Sequence, residues 1–333
     1  MSLEALITSL RQHKGIAHKQ DIDGVIQILG KQGFATEEAW IGDDCAVIPH
    51  GDSNLLLAIE GFINEFVAHD AWFAGWCGVM VNLSDIAAMG GRPIAVVDAL
   101  WSAGDAQGAA LMEGLQAAAR AFGVPIVGGH TNTRCQQGQL AVAILGEAKV
   151  PLSSFAARPG DRLVAAIDLR GAYREPFDNW DAATSAPPER LRGDLALLPA
   201  IAESGLAHAA KDISQAGLLG TTLMLMECSG VGARLNLSAV PRPADIDLAR
   251  WLRSFPSFGY LLACPAESVA PLLAQFQARG LAAADIGEFN TSLRLDVTLD
   301  SSAGRESGVF WDLGSERLMG IDSRTKESHH AGH

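Results

Sequence analysis

What this sequence lacks narrows it early. No apolar run is long enough to cross a bilayer, and Met1 to Lys19 has neither the apolar core nor the cleavage site of a signal peptide. A cytoplasmic protein with no membrane partner is therefore expected. The five cysteines (Cys45, Cys77, Cys135, Cys228 and Cys264) are scattered, with no C-x-x-C pair, so neither a disulfide framework nor a zinc site is expected. Each reads as a small buried hydrophobe. Positive charge is also short: 25 Lys and Arg stand against 38 Asp and Glu, a net charge of −13. That balance excludes nucleic acid as a partner, because a phosphate backbone needs a basic face. An acidic chain can still hold a polyphosphate if a cation stands between the two. The sequence contains no G-x-x-x-x-G-K-[ST] loop, no G-x-G-x-x-G opening a helix, and no Ser–His–Asp or Cys–His arrangement. Internal repeats and low-complexity tracts are absent too.

What is present is a folded chain of two domains. Its 333 residues exceed one ordinary core and suit two of roughly 150 residues each. Hydrophobic residues make up 48% and charged residues 19%, the composition of a globular protein. The first forty residues read as one or two helices. A strand over Leu55 to Ile59 follows, then an amphipathic helix in which Trp72, Trp76, Val79, Leu83 and Ile86 recur at three- and four-residue spacing. Gly90-Gly91-Arg92-Pro93 stops that helix. Ile94 to Leu100 is an apolar run that predicts a strand buried on both faces. Leu111, Leu115, Ala118 and Phe122 mark a second helix, and Val124 to Val127 and Leu140 to Leu145 two more strands, an alternation that predicts an α/β or α+β layer arrangement. Arg158-Pro159-Gly160-Asp161 is a turn signal, which puts the domain boundary near residues 148 to 160. The expected division is an N-terminal domain 1–150, a C-terminal domain 151–320 and a flexible tail 321–333. In the second half, Leu163 to Ile167, Val231 to Leu237, Gly259 to Cys264 and Leu293 to Leu299 read as strands. Leu219, Leu223 and Met226 form one helix stripe, and Val269, Leu272 and Phe276 another.

Three acidic positions stand out. Asp43-Asp44 precede a strand, and two adjacent carboxylates there repel unless a cation or solvent compensates. Asp85 shares a helix stripe with Gly78, Asn82 and Met89, which is consistent both with room and oxygen contacts for a ligand and with an Asn-Asp patch facing water. Asp212, with Ser214, precedes a helix; an N-cap and an anion site are both consistent with that place. Gly128-Gly129-His130-Thr131 follows a strand, where paired glycines let a backbone approach a phosphate, and His130 is a candidate for phosphate contact or acid–base chemistry. With no Walker lysine, a hard cation held by carboxylates must carry any ATP, and magnesium is the natural choice.

Taken in order, the motifs resemble the aminoimidazole ribonucleotide synthetase (PurM-like) superfamily, which includes thiamine-monophosphate kinase and selenophosphate synthetase. Ile41-Gly42-Asp43-Asp44-Cys45-Ala46-Val47 looks like the G-D-D-x-A-V segment. Asn82-Leu83-Ser84-Asp85-Ile86-Ala87-Ala88-Met89-Gly90-Gly91-Arg92-Pro93 is similar to the N-x-S-D-I-x-A-M-G-x-x-P helix. Arg158-Pro159-Gly160-Asp161 and Lys211-Asp212-Ile213-Ser214 through Ser229-Gly230-Val231-Gly232-Ala233 resemble segments of the second domain. The resemblance implies an α+β fold of two domains: N-terminal strands closing a barrel across a homodimer, and a C-terminal α/β sandwich. It implies ATP as substrate, with magnesium held by Asp43 or Asp44, Asp85 and Asp212, and Glu60 as a further ligand. Asn82, Gly128, Gly129, Thr131 and Ser214 would face the nucleotide, and Asp44, Asp85 and His130 would serve catalysis. Where thiamine-monophosphate kinase carries further aspartates, this chain has Glu60, His130 and Gln215. The expectation is ATP- and magnesium-dependent phosphoryl transfer to an oxygen of a small-molecule acceptor, in a divergent AIR synthase-related enzyme. The alternatives are a thiamine-monophosphate kinase and a nucleotide-binding protein that has lost catalysis.

Overall fold

The computed structural model describes residues 2–29, 41–302 and 304–321, so the expected helical reach to residue 40 and the tail 322–333 lie outside the described residues. Two helices open the chain, α1 (Leu3–Arg11) and α2 (Lys14–Leu29). The chain divides into two compact units that change over at 43–44, 151–152, 182–183 and 203–204.

The smaller unit comprises Asp44–Pro151 and Ala183–Glu203. Its strands are β1 (Ala46–His50), β2 (Ser53–Phe62), β3 (Arg92–Ala103), β4 (Ile126–Asn132) and β5 (Arg134–Ala148), in sheet order β1-β2-β5-β3-β4. Its helices are α3 (Asn64–His69), α4 (Ala71–Ala88), α5 (Asp105–Phe122), α6 (Pro188–Leu195) and α7 (Leu197–Glu203). All strand pairs are antiparallel except β3–β4, which is parallel because α5 forms the crossover between them. The sheet alternates as a half-covered sheet must. Leu56, Ala58, Val96, Leu100, Val142 and Ile144 are buried, while Leu57, Ile59 and Val97 on the opposite face are 42–70% exposed. The apolar run of β3 is therefore buried on one face only, and the strand is internal, between β5 and β4.

The helix stripe read from Trp72 to Ile86 is α4, and its ends are specified locally. Asp70 accepts a bond from Phe73 N at 3.0 Å as N-cap. At the other end Gly90 N donates to Ala87 O and Gly91 N to Ile86 O, both at 2.8 Å, the paired bonds of a Schellman motif, with Gly90 at φ +70°. Glycines also set how closely α4 and α5 approach. A Cβ on Gly75 would stand 2.1 Å from Leu111 O, and one on Gly114 1.9 Å from Trp72 O. Each helix thus presents a bare backbone to the other.

The larger unit holds the described residues up to Asp43, Leu152–Ala182 and the described residues from Ser204 on. Its strands are β6 (Arg162–Ile167), β7 (Ala172–Tyr173), β8 (Asn179–Asp181), β9 (Ala209–Asp212), β10 (Gly232–Asn236), β11 (Phe255–Pro256), β12 (Gly259–Cys264), β13 (Ala282–Asn290), β14 (Arg294–Ser301) and β15 (Gly304–Asp312). Seven of them form a mixed sheet in the order β15-β14-β10-β13-β6-β12-β9, and β11-β8-β7 form a small second one. Helices α8 (Gly217–Ser229), α9 (Leu248–Arg253) and α10 (Val269–Gln277) complete the unit with α1 and α2. The core gathers Leu3, Leu6 and Leu10 of α1 with Leu223, Phe289, Phe310 and Trp311. Glu227, buried on α8, accepts from the backbone N–H groups of Leu318, Met319 and Gly320 at 2.7–3.2 Å, fastening that segment to the helix.

Two segments lie outside a single division near residue 150. Residues 2–29 join the C-terminal half because the apolar stripe of α1 packs there, Leu3 N donates to Glu306 at 3.0 Å, and the Arg11 guanidinium lies 4.7 Å from the Trp311 ring centre. Residues 183–203 join the N-terminal half, where Arg192 of α6 donates to the carbonyls of Ala121 (2.9 Å) and Arg120 (2.8 Å) at the end of α5. Those are the acceptors that a helix C-terminus leaves open, and a cation there also suits the helix dipole. Among the described residues no helix is long and apolar enough to cross a membrane.

Candidate carboxylate site

Asp44 and Asp85 come together in the smaller unit, with carboxylate oxygens within 4.8 Å of one another. Asp44 is half-buried in the bend that leads into β1. The chain reaches it through Gly42, whose φ of +124° needs a glycine. Asp85 is buried, at 6% exposure, in the last turn of α4. That turn contains no basic residue. A helix ends in partial negative charge, so the position disfavours a carboxylate twice over, through the dipole and through lost hydration. Both costs fall if a cation sits between the two groups. The donors are hard carboxylate oxygens, which suit magnesium rather than a soft metal.

The stripe of Gly78, Asn82, Asp85 and Met89 faces the protein interior. A Cβ on Gly78 would stand 2.8 Å from Val142 and 3.3 Å from Leu115, and Met89 is fully buried. Gly78 is thus a packing glycine, and the room expected beside it is filled by the sheet and α5. Asn82 is also fully buried. Its Nδ2 donates to Gly78 O at 2.8 Å, and its Oδ1 finds no donor among the described residues.

One row across the sheet carries two carboxylates on the α4 side. Glu60 on β2 pairs with Val142 on β5, Val142 with Asp98 on β3, and Asp98 with Gly129 on β4. Glu60 is exposed, whereas Asp98 is 8% exposed, and its Oδ2 has no hydrogen-bond partner among the described residues. Burial pushes the Asp98 carboxyl above its ordinary value, and a bond from its own backbone opposes this in part. A Cβ on Gly129 would lie 2.5 Å from Asp98 Oδ1, so Gly129 makes room for a side chain of its own sheet. Gly128 has open space where its Cβ would be. His130 pairs with Ala99 and meets Trp101, with ring centres 6.0 Å apart. Strand alternation puts His130 on the sheet face away from α4, so within this unit it is not gathered with Asp85. Thr131 is exposed near the end of β4.

The larger unit holds the remaining candidates. Asp212 ends β9 and is half-buried. Neither it nor Ser214 caps α8, which begins after Ala216 with no side-chain cap. Ser214 N donates to Thr221 Oγ1 at 3.4 Å, and Ser214 Oγ is buried without a hydrogen-bond partner among the described residues. Asp43 is bonded to Ser153 and Ser154. Sequence reasoning missed Asp98 and Lys211. Lys211 is 4% exposed in β9, directly before Asp212. The signal available was a charged residue inside an otherwise apolar stretch, Asp98 within Ile94–Leu100 and Lys211 after Ala209-Ala210.

Residues 42–148 match the AIR synthase related protein, N-terminal domain, and residues 176–300 the AIR synthase related protein, C-terminal domain. The chain is 47% identical over 326 residues to an uncharacterized protein of Synechocystis, covering 96% of this chain and 98% of the other. It is 29% identical over 309 residues to selenide, water dikinase of Burkholderia pseudomallei, covering 77% and 84%. It is 28% identical over 234 residues to thiamine-monophosphate kinase of Mycobacterium tuberculosis, covering 66% and 69%. Among solved structures, AaThiL complexed with AMPPCP and TMP matches at TM-score 0.65 and 20% identity, over 83% of this chain and 91% of that one. T. maritima PurL complexed with ATP matches at 0.69 and 19%, over 84% of this chain and 46% of PurL, so this chain spans under half of PurL's length. At these identities the structures share the fold: a mixed α+β, two-domain PurM-like architecture.

Because Asp98 is buried with its carboxyl value raised, the folded protein holds that proton more tightly than the unfolded chain does. The stability this proton supports is complete below about pH 4 and is lost as pH rises through the folded value. Asp98→Asn keeps the shape and removes the charge. Urea denaturation should show the variant more stable than the parent at pH 8, by on the order of 1 kcal/mol, with the gap closing toward pH 4. A variant less stable than the parent at pH 8 would mean that the ionised carboxylate is held by a favourable contact.

Proposed function

This chain belongs to the AIR synthase related family, and on that footing we propose that it is a cytoplasmic, ATP- and magnesium-dependent enzyme that phosphorylates an oxygen of a small-molecule acceptor. The observation that carries the reading is the Asp44–Asp85 pair, two hard oxygen ligands whose closeness and burial call for a cation. Asp212 is proposed as the third carboxylate, on the resemblance of its Lys-Asp-Ile-Ser segment, with Glu60 in reserve. Relatives named for phosphoryl-transfer activities and a fold neighbour holding an ATP analogue support it further. Asn82, Gly128, Gly129, Thr131 and Ser214 are proposed to face the nucleotide.

In the proposed reaction the bond between the β–γ bridging oxygen and the γ-phosphorus breaks, a bond from the acceptor oxygen to that phosphorus forms, and the acceptor proton is released. Magnesium, when bound, supplies charge neutralisation on the phosphates. Asp44 and Asp85 fix where that charge stands, and alignment of the acceptor supplies the remaining rate. Asp85→Asn preserves shape and removes one negative charge. Phosphoryl transfer should fall roughly 30- to 1000-fold, the equivalent of about 2 to 4 kcal/mol, while the melting temperature holds or rises. The measurement is ATP consumption with and without magnesium, over oxygen acceptors that include thiamine monophosphate, with selenide as the acceptor that carries no oxygen. A destabilised variant with unchanged magnesium–ATP affinity would make Asp85 a scaffold residue.

A second copy of the chain is proposed to cover the open face of the five-stranded sheet. Ile59, Leu57 and Val97 are 70%, 46% and 42% exposed there, more apolar surface than an isolated sheet face usually leaves to water. His130 projects from the same face, so its proposed acid–base role belongs to that interface. Light scattering at micromolar concentration should give the mass of a dimer, and of a monomer for Ile59→Asp; a monomeric parent would contradict the proposal.

A further inference from the structure

Asp43 and Asp44 are neighbours in sequence with different surroundings. Both oxygens of Asp43 are taken within its own unit. Ser153 Oγ donates to Oδ2 at 2.7 Å, Ser154 Oγ donates to Oδ1 at 2.6 Å, and Ser154 N lies 3.1 Å from each oxygen. Ser154 is itself fully buried and held from several sides. Its carbonyl accepts from Ser229 Oγ at 2.6 Å, and that hydroxyl in turn accepts from Ala157 N at 3.0 Å. Lys211 Nζ stands 3.5 Å from Ser154 Oγ. One residue earlier in the chain, Gly42 O accepts from Cys228 Sγ at 3.5 Å, and a Cβ on Gly42 would stand 2.4 Å from Ile321. The segment before Asp44 is therefore fastened to the 153–154 loop, to the end of α8 and, through Ser154, to the strand that ends in Asp212.

We infer that Asp43 is a positioning residue and not a magnesium ligand: with Ser153, Ser154 and Lys211 it forms a clamp that fixes where the Asp44 carboxylate stands. This rests on the reading of Asp44 and Asp85 as magnesium ligands, and it removes Asp43 from the ligand set that the sequence implied. Hydrogen bonds to an ionised carboxylate are the strong ones, and a group that already accepts from two hydroxyls and a backbone N–H has to break them to turn toward a cation. A magnesium site tolerates little displacement of its ligands, because the ion demands near-ideal octahedral geometry at short range. A rigid anchor one residue away is what such a site needs from the chain. The clamp gives Lys211 a part as well. Its ammonium lies beside the hydroxyl that bonds Asp43, and it precedes Asp212 directly in β9.

The test separates charge from geometry, using calorimetric affinity for magnesium–AMPPCP on the full chain, with the melting temperature of each variant alongside. Asp44→Asn should weaken binding by about 30-fold or more, since it removes a ligand charge. Asp43→Asn leaves an oxygen to accept from Ser154 N and an amide to meet the Ser153 hydroxyl, so its affinity should stay within roughly threefold of the parent. Asp43→Ala empties the clamp and should weaken binding by about tenfold through misplacement of Asp44 alone. If Asp43→Asn loses as much as Asp44→Asn, the charge of Asp43 acts on the metal and the inference is overturned. Parent-like binding by a folded Asp43→Ala would overturn it too, because the clamp would then position nothing. Should Asp43→Ala not fold, the comparison of the two asparagine variants decides by itself. A parent protein that binds no magnesium–AMPPCP defeats the reading of the site itself, an outcome distinct from either of these.

Discussion

Two carboxylates within 4.8 Å repel each other, and the partial negative charge at the end of α4 adds to the repulsion on Asp85, which is also largely cut off from water. Folding tolerates such an arrangement only if the rest of the structure enforces it. Much of the smaller unit does so. Asp70 fixes where α4 starts, and Gly90 and Gly91 fix where it stops. The glycine contacts at Gly75, Gly114 and Gly78 let α4 lie close to both α5 and the sheet. None of these devices touches a ligand, yet each narrows where the Asp85 carboxylate can stand. On the other side, the bonds around Asp43 do the same for Asp44. The pair is thus a repulsive contact held in place by attractive ones, and a cation is the species that turns it favourable.

Chain order and spatial grouping diverge, and the divergence has a simple origin. The apolar stripe of α1 finds its partners more than 300 residues later, on β15, and α6 closes the open carbonyls of α5 after the chain has already built β6 to β8. The chain therefore passes between the two units more than once, at 43–44, 151–152, 182–183 and 203–204. The first of these passages falls between Asp43 and Asp44. Asp44, proposed as a ligand, follows directly on a residue held by its own bonds, and this is why the bonds of Asp43 matter for its neighbour.

The legible parts of the sequence were those governed by local rules. The stripe of Trp72, Trp76, Val79, Leu83 and Ile86 and the stop at Gly90-Gly91 are both local, and α4 follows them closely. Asp85 stood out as a candidate for the same reason, as one acidic residue in an otherwise apolar and small-residue helix motif. Strand β13, with the sequence Ala-Ala-Ala-Asp-Ile-Gly-Glu-Phe-Asn, carries little strand propensity; it is a strand because β10 and β6 pair with it on either side. Strand β15 is polar along much of its length and is defined by pairing with β14. The placement of α1, the row joining Glu60 to Asp98 and the clamp on Asp43 all depend on contacts distant in sequence, which periodicity does not reveal. The Gly128-Gly129 pair carries a constraint that its local pattern did not reveal, since a Cβ on Gly129 would meet Asp98 on the neighbouring strand.

The central claim is that a divalent cation joins Asp44 to Asp85 when a nucleotide is bound. Anomalous diffraction from crystals grown with manganese and AMPPCP locates such an ion directly, because manganese scatters anomalously and takes the same hard oxygen ligands as magnesium. The account predicts an anomalous peak about 2 Å from an oxygen of each carboxylate, with the phosphates of the analogue on its other side. Bound nucleotide with no ion at that position, or an ion held by Asp43 in place of Asp44, would contradict it.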